Sequence, residues 1–103
     1  MTIATYAVTT ATGNAYTSTG NTAITSLTLC NWGAVEVTAN AFVVPNSSAP
    51  GTSNQMLYTL GIVSGETYQI YIAAEKLLLG PGDMIQIDAS ANSLTAITSY
   101  TSI

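Results

Sequence analysis

The chain has no histidine and no arginine, and in 103 residues it has one lysine, Lys76, and one cysteine, Cys30. Each shortage removes a class of chemistry. Without imidazole there is no histidine-based triad or general base. A single thiol makes no internal disulfide, and with no imidazole beside it no zinc site. A nucleophilic Cys30 would want a neighbouring base, so this residue, near a strand end, reads as a small buried hydrophobe. The near absence of cations removes the phosphate contacts on which nucleic-acid affinity rests, and with them any pull towards anionic membranes. No apolar run approaches the ~20 residues that span a bilayer. The opening MTIATYAVTT lacks the basic and long apolar regions of a signal peptide. The expectation is assembly in a cytoplasm, with no nucleic-acid or membrane partner.

Charge of either sign is scarce. Only 6% of residues are charged, against about a quarter in ordinary globular chains. The carboxylates are Glu36, Glu66, Glu75, Asp83 and Asp88, for a net charge of −4. No charged residue precedes Glu36. The five are scattered at turns and on outward strand positions, which does not suit the paired carboxylates of a glycosidase. Glu75, Asp83 and Asp88 lack the spacing of a calcium loop. GPGD at 80–83 lacks the lysine and following helix of a phosphate cradle. No catalytic, cofactor-binding or metal-binding residue is assigned, and the chain reads as a non-enzyme.

What the chain has in quantity is Thr, Ser and Asn between short apolar alternations. A surface of neutral hydroxyls is unusual for a free monomer. It fits a sandwich that works outside the cell, or a surface covered by neighbours, where neutral side chains avoid the desolvation cost of ions.

The central stretch is Ile24–Pro45, ITSLTLCNWGAVEVTANAFVVP. Leu27 and Leu29 alternate with Thr28 and Cys30, and Val35, Val37, Ala39, Ala41 and Val43 recur at every second residue. That period gives a strand one apolar face. Asn31, Trp32 and Gly33 predict a tight hairpin turn between the two arms. Further strands are expected over 2–8, 15–19, 55–63, 67–72, 84–89 and 94–101. In these, Met56, Tyr58 and Leu60 share one face, and Ile85, Ile87 and Ala89 point inward with Gln86 and Asp88 outward. Residues 73–76 can form a helical turn or bend, and 46–54, bounded by Pro45, Pro50 and Gly51, read as a long loop. About eight short strands predict one all-β domain over 1–103, an Ig-like or jelly-roll-like antiparallel β-sandwich. Residues 1–20 are an arm or an edge strand.

Three residues stand out as interface candidates. Tyr6 is an aromatic anchor on the first strand. Trp32 at a hairpin tip is a turn residue folded over the sandwich end, an interface anchor or a sugar platform. Lys76, the sole cation, can meet Glu36, Glu66 or a carboxylate of another subunit, an exposed pair contributing about 0–1 kcal/mol.

YTSTGNTAITSLTLCNWGAVEVTANAFVVPN and GETYQIYIAAEKLLLGPGDMIQIDASANSLTAITSYTSI together resemble small virion proteins of tailed bacteriophages, above all of contractile-tailed phages that infect cyanobacteria. The resemblance lies in the order of three segments: the TAITSLTLCN and VTANAFVVP strands, the EKLLL–GD turn and the ASAN–LTA–TSYTSI end. It runs from Tyr16 to Ile103 and leaves residues 1–15 outside. It implies a structural sandwich on a virus particle, without catalytic residues or cofactor. Its partners would be other virion proteins, a major capsid protein or neck and tail proteins, with copies of the chain forming a homo-oligomer. The implied role is capsid cement or decoration; the alternative is a neck, tail or fibre accessory that binds carbohydrate on the host.

Overall fold

Strand formation follows the period-two pattern, and bulges correct its phase where the pattern slips. The computed structural model describes residues 2–71 and 77–103. Among these residues are nine strands: β1 (Thr2–Val8), β2 (Gly13–Thr17), β3 (Thr22–Asn31), β4 (Val37–Val44), β5 (Gln55–Ile62), β6 (Thr67–Tyr71), β7 (Leu77–Leu79), β8 (Met84–Ala89) and β9 (Leu94–Ser102). One 3-10 turn, Thr52–Asn54, precedes β5. The expected helical turn or bend at 73–76 falls outside the described residues, as does Lys76.

The strands form two antiparallel sheets. The first runs β1-β9-β3-β6, with β7 also on β3, and the second runs β2-β8-β4-β5. β6 pairs with Ser26–Cys30 and β7 with Thr22–Ile24 in the same direction, so they share one strand position in two pieces. Counted that way, eight positions in this order make the two interlocked Greek keys of a jelly roll, not the strand order of an immunoglobulin sandwich.

The core lies between the sheets. Ile24, Leu27, Leu29 and Leu94 of the first sheet meet Val37, Ile85 and Ile87 of the second, all essentially inaccessible. Ile24 and Leu27 are three residues apart, yet both point inward, because a bulge between Ile24 and Ser26 in the β3–β9 ladder adds one residue, Thr25. The Thr25 hydroxyl donates to the Ser99 carbonyl there (3.1 Å). In β8, Ile85, Ile87 and Ala89 are buried and alternate with Gln86 and Asp88.

Three expectations are corrected. The two arms of the central stretch are not a hairpin: β3 lies in the first sheet and β4 in the second, and residues 32–36 cross between them. Both edges of β3 are already taken, by β9 on one side and β6 and β7 on the other. Val35 therefore sits on the crossing and is 65% exposed rather than inward. Cys30 is not a core residue either; the inward phase belongs to Leu27 and Leu29, which leaves the thiol partly exposed on the outer face. Finally, Tyr58 does not share a face with Met56 and Leu60. β5 takes up extra residues at two register shifts against β4, Thr59 has φ +49°, and Tyr58 turns out to solvent.

Asn31 continues the inward series of Leu27 and Leu29 and is fully buried. Its amide donates to the carbonyls of Val35 and Ile62 (2.8 Å each). Its oxygen accepts from the Gly33 amide (3.0 Å) and, more weakly, the Ser93 hydroxyl (3.4 Å). One side chain thus uses its full hydrogen-bonding capacity to join three connections at one end of the sandwich. Asn31→Ala takes this donor from the buried bond to the Ile62 carbonyl and the part-buried bond to the Val35 carbonyl, and denaturant unfolding should record a loss of about 2–4 kcal/mol.

Candidate interaction surface

The two outer faces differ in chemistry. On the second sheet, Asn40 and Asp88 lie opposite one another and are bonded (Nδ2 to Oδ1, 2.9 Å), and the Thr12 hydroxyl donates to the other Asp88 oxygen (2.9 Å). Gln86 donates to Asn14 beside them (2.6 Å). This face is an amide and carboxylate ladder. Among the described residues, the outer face of the first sheet carries no charged strand residue. Its rows run Ile3–Ser99–Ser26, Thr5–Ile97–Thr28–Gln69 and Ala7–Thr95–Cys30–Thr67. Gln69 donates to the Thr28 hydroxyl (3.2 Å). Of the four strands drawn from the uncharged sequence before Glu36 and after Asp88, three (β1, β3 and β9) are neighbours in this sheet, and only β2 lies in the second.

Tyr6 faces inward from β1, half-buried against the core. A Cβ on Gly13 would collide with its hydroxyl, so glycine at 13 is what lets the ring lie across from β1 onto β2. Ile3, four-tenths buried at most, is the projecting apolar side chain of β1 (62% exposed). Trp32 is 65% exposed on the crossing between the sheets, its amide bonded to the Ser93 carbonyl (3.1 Å). Val63, also exposed, belongs to the neighbouring β5–β6 connection, which the Ser64 hydroxyl ties to the Gly33 carbonyl (2.6 Å). The structure does not bring Tyr6 and Trp32 together into one site.

The opposite end holds a cleft of about 490 Å³ whose lining includes Tyr16, Thr17, Asn21, Tyr100 and Ser102. The Tyr16 and Tyr100 rings are in contact, 4.4 Å between centroids and tilted by 36°. Beneath them the hydroxyls of Tyr16, Thr22 and Ser18 form a chain (3.3 and 2.8 Å) that ends on the Gly20 carbonyl (2.6 Å). The lining side chains are neutral and mix aromatic faces with hydroxyls. Nothing in sequence spacing joins Tyr16 to Tyr100; only the fold does.

Asp83 ties the same end together. Its carboxylate accepts from the Asn46 amide (2.9 Å) and the Gly80 amide (2.8 Å), while the Ser18 amide donates to its carbonyl (2.8 Å). The amides of Asn46 and Gly80 hold the carboxyl below its ordinary value of 3.8. Among the described residues, no three His, Cys, Asp or Glu side chains gather as a metal site. No helix among them is long and apolar enough to cross a membrane. Comparison with protein-family models, curated proteins and solved structures gives no match to this chain.

Because the folded pKa of Asp83 is depressed, its stabilisation is fully present above the unfolded value and is lost as pH falls through the folded one. Thermal melts of Asp83→Asn should show a lower melting temperature than the parent at pH 7, and the gap should close as pH falls through the depressed pKa of the folded state. A gap that stays constant with pH would remove the carboxylate from this role.

Proposed function

We propose that the chain is a non-enzymatic structural subunit of a bacteriophage particle, a cement or decoration protein that stabilises the capsid through subunit contacts. The observation that carries this reading is the uncharged outer face that the described strands of the first sheet present. A neutral face docks without stripping water from ions, a step that costs several kcal/mol per charge. The resemblance of its segment order to that of small phage virion proteins is what suggests a particle. The jelly-roll strand order is compatible with it, since capsid proteins are among the many users of that architecture, but a fold alone names no function. The protein contributes binding energy only, and many weak neutral contacts repeated over a lattice add to a large total. Cryo-electron microscopy of purified particles, with a copy count, tests the proposal. The expected result is hundreds of copies on the capsid lattice. A few copies at the neck or tail would favour the accessory role instead, and absence from particles would overturn both.

The cleft over Tyr16 and Tyr100 favours a second reading, a carbohydrate-binding module on a tail or fibre. Its neutral hydroxyl lining suits a saccharide better than an ion. In this reading a glycan array shows binding that Thr17→Lys and Ser102→Lys abolish, while Trp32→Ala leaves it intact. No glycan bound by the parent chain would end it.

A further inference from the structure

The sandwich has four sheet edges, and three of them are interrupted. β2 is five residues long and shifts register between Asn14 and Tyr16. β5 shifts register twice and carries Thr59 at φ +49°. The edge beyond β3 is divided between β6 and β7. Short strands, bulges and breaks are the devices that keep a sheet edge from adding a foreign strand. The fourth edge has none of them. β1 pairs with β9 in unbroken register over all seven residues, TIATYAV, without charge, proline or glycine. Among the described residues, no side chain or loop bonds its backbone on the side away from β9.

We propose that β1 is a docking edge and that its occupant is β1 of a second copy, running antiparallel about a two-fold axis. Register follows from side-chain phase. A two-fold axis normal to the sheet keeps outer faces on one side, so outward residues must meet outward residues. Full overlap then sets Thr5 opposite Thr5, Ile3 opposite Ala7, and Ala4 opposite Tyr6. Ile3, exposed in the single chain, gains an apolar cross-strand neighbour, and the threonine pair sits at the centre. The result is one continuous sheet through two copies.

Charge placement selects a second copy over a charged peptide. Two chains of net charge −4 repel when they meet through the face bearing Asp88 or the turn bearing Asp83. Among the described residues, no strand of the first sheet has a charged side chain, and β1 and its partner β9 have none, so the β1 junction brings no side-chain carboxylate to the contact. A single strand pair buries less than a standard interface, so the free dimer is weak and concentration-dependent. On a lattice, the neighbouring copy supplies a high effective concentration. The inference concerns how copies join and holds whatever particle the chain serves.

The test is made on the full chain in solution. Sedimentation equilibrium should show a monomer–dimer equilibrium, weakened by about tenfold or more in I3K/A7K, which sets like charges opposite each other at both ends of the junction. In a Cys30→Ser background, Thr5→Cys should form a disulfide-linked dimer on mild oxidation, because directly opposed antiparallel residues lie about 4.5–5.5 Å apart at Cα. Thr17→Cys, on β2, should not. A chain that stays monomeric up to about millimolar concentration, a dimer indifferent to the lysines, or equal cross-linking at both positions would overturn the proposal. If I3K/A7K fails to fold, the two cysteine variants decide it alone. Particle location does not enter these readouts, so this proposal and the capsid role fail independently.

Discussion

The double-sided pairing of β3 is the constraint on which the rest of the molecule depends. With β9 along one edge and β6 and β7 along the other, β3 has no place for the strand that follows it. The chain must leave the sheet after Asn31 and cross to the other layer before β4 can begin. A crossing of five residues has its own backbone groups to satisfy, and some of them are out of reach of water. The buried Asn31 amide meets this need by bonding the Val35 carbonyl on the crossing and the Ile62 carbonyl at the end of β5. The exposure of Trp32 has the same origin, since a residue at the start of a crossing faces solvent, whereas a hairpin tip could have folded over either sheet.

How far the sequence told this in advance can be followed residue by residue. β8 was fully legible, because MIQIDA alternates without a bulge and its ends are marked by Gly82 and Ser90. The all-β sandwich was legible from the same grammar repeated along the chain. The partner of β3 was not, since an apolar alternation, a turn and a second alternation look alike whether the second arm returns beside the first or crosses to another sheet. Phase was lost wherever a bulge intervened: one at Thr25 keeps Ile24 and Leu27 on the same side, and those in β5 send Tyr58 outward. Asn31 did leave a signal. It stands at the inward position of the series 27, 29, 31, and a polar residue in an apolar phase marks a buried hydrogen-bonding duty. The pairing of Tyr16 with Tyr100 left no signal, being a contact across 84 positions made only by the sheet order.

Two of the carboxylates, Asp83 and Asp88, are used inside the molecule. Asp88 is bonded by Asn40 and Thr12, and Asp83 by the amides of two connections. Both stand on or beside the second sheet, where they hold edges and turns in place. The first sheet is built from apolar residues inward and hydroxyls outward, with packing and backbone bonding as its main supports. Thr98, fully buried with an unbonded hydroxyl, is a cost accepted within that sheet.

The treatment of the edges sharpens the contrast. β5 is kept irregular at an energetic expense: a β-branched residue at positive φ carries strain of about 1–3 kcal/mol, offset in part by the Thr59 amide bonding the Asn40 side chain (2.8 Å). A chain that bears such strain on one edge while leaving another regular, neutral and open has not neglected edges in general. Regularity is useless to a strand that must repel partners and necessary to one that must accept a partner in a single register, because each bulge would flip the phase of every residue beyond it. β1 meets that requirement over its full length. Tyr6, laid across Gly13 onto β2, anchors the strand to the second sheet from the inner side, so the edge is presented on a fixed support rather than on a loose terminus.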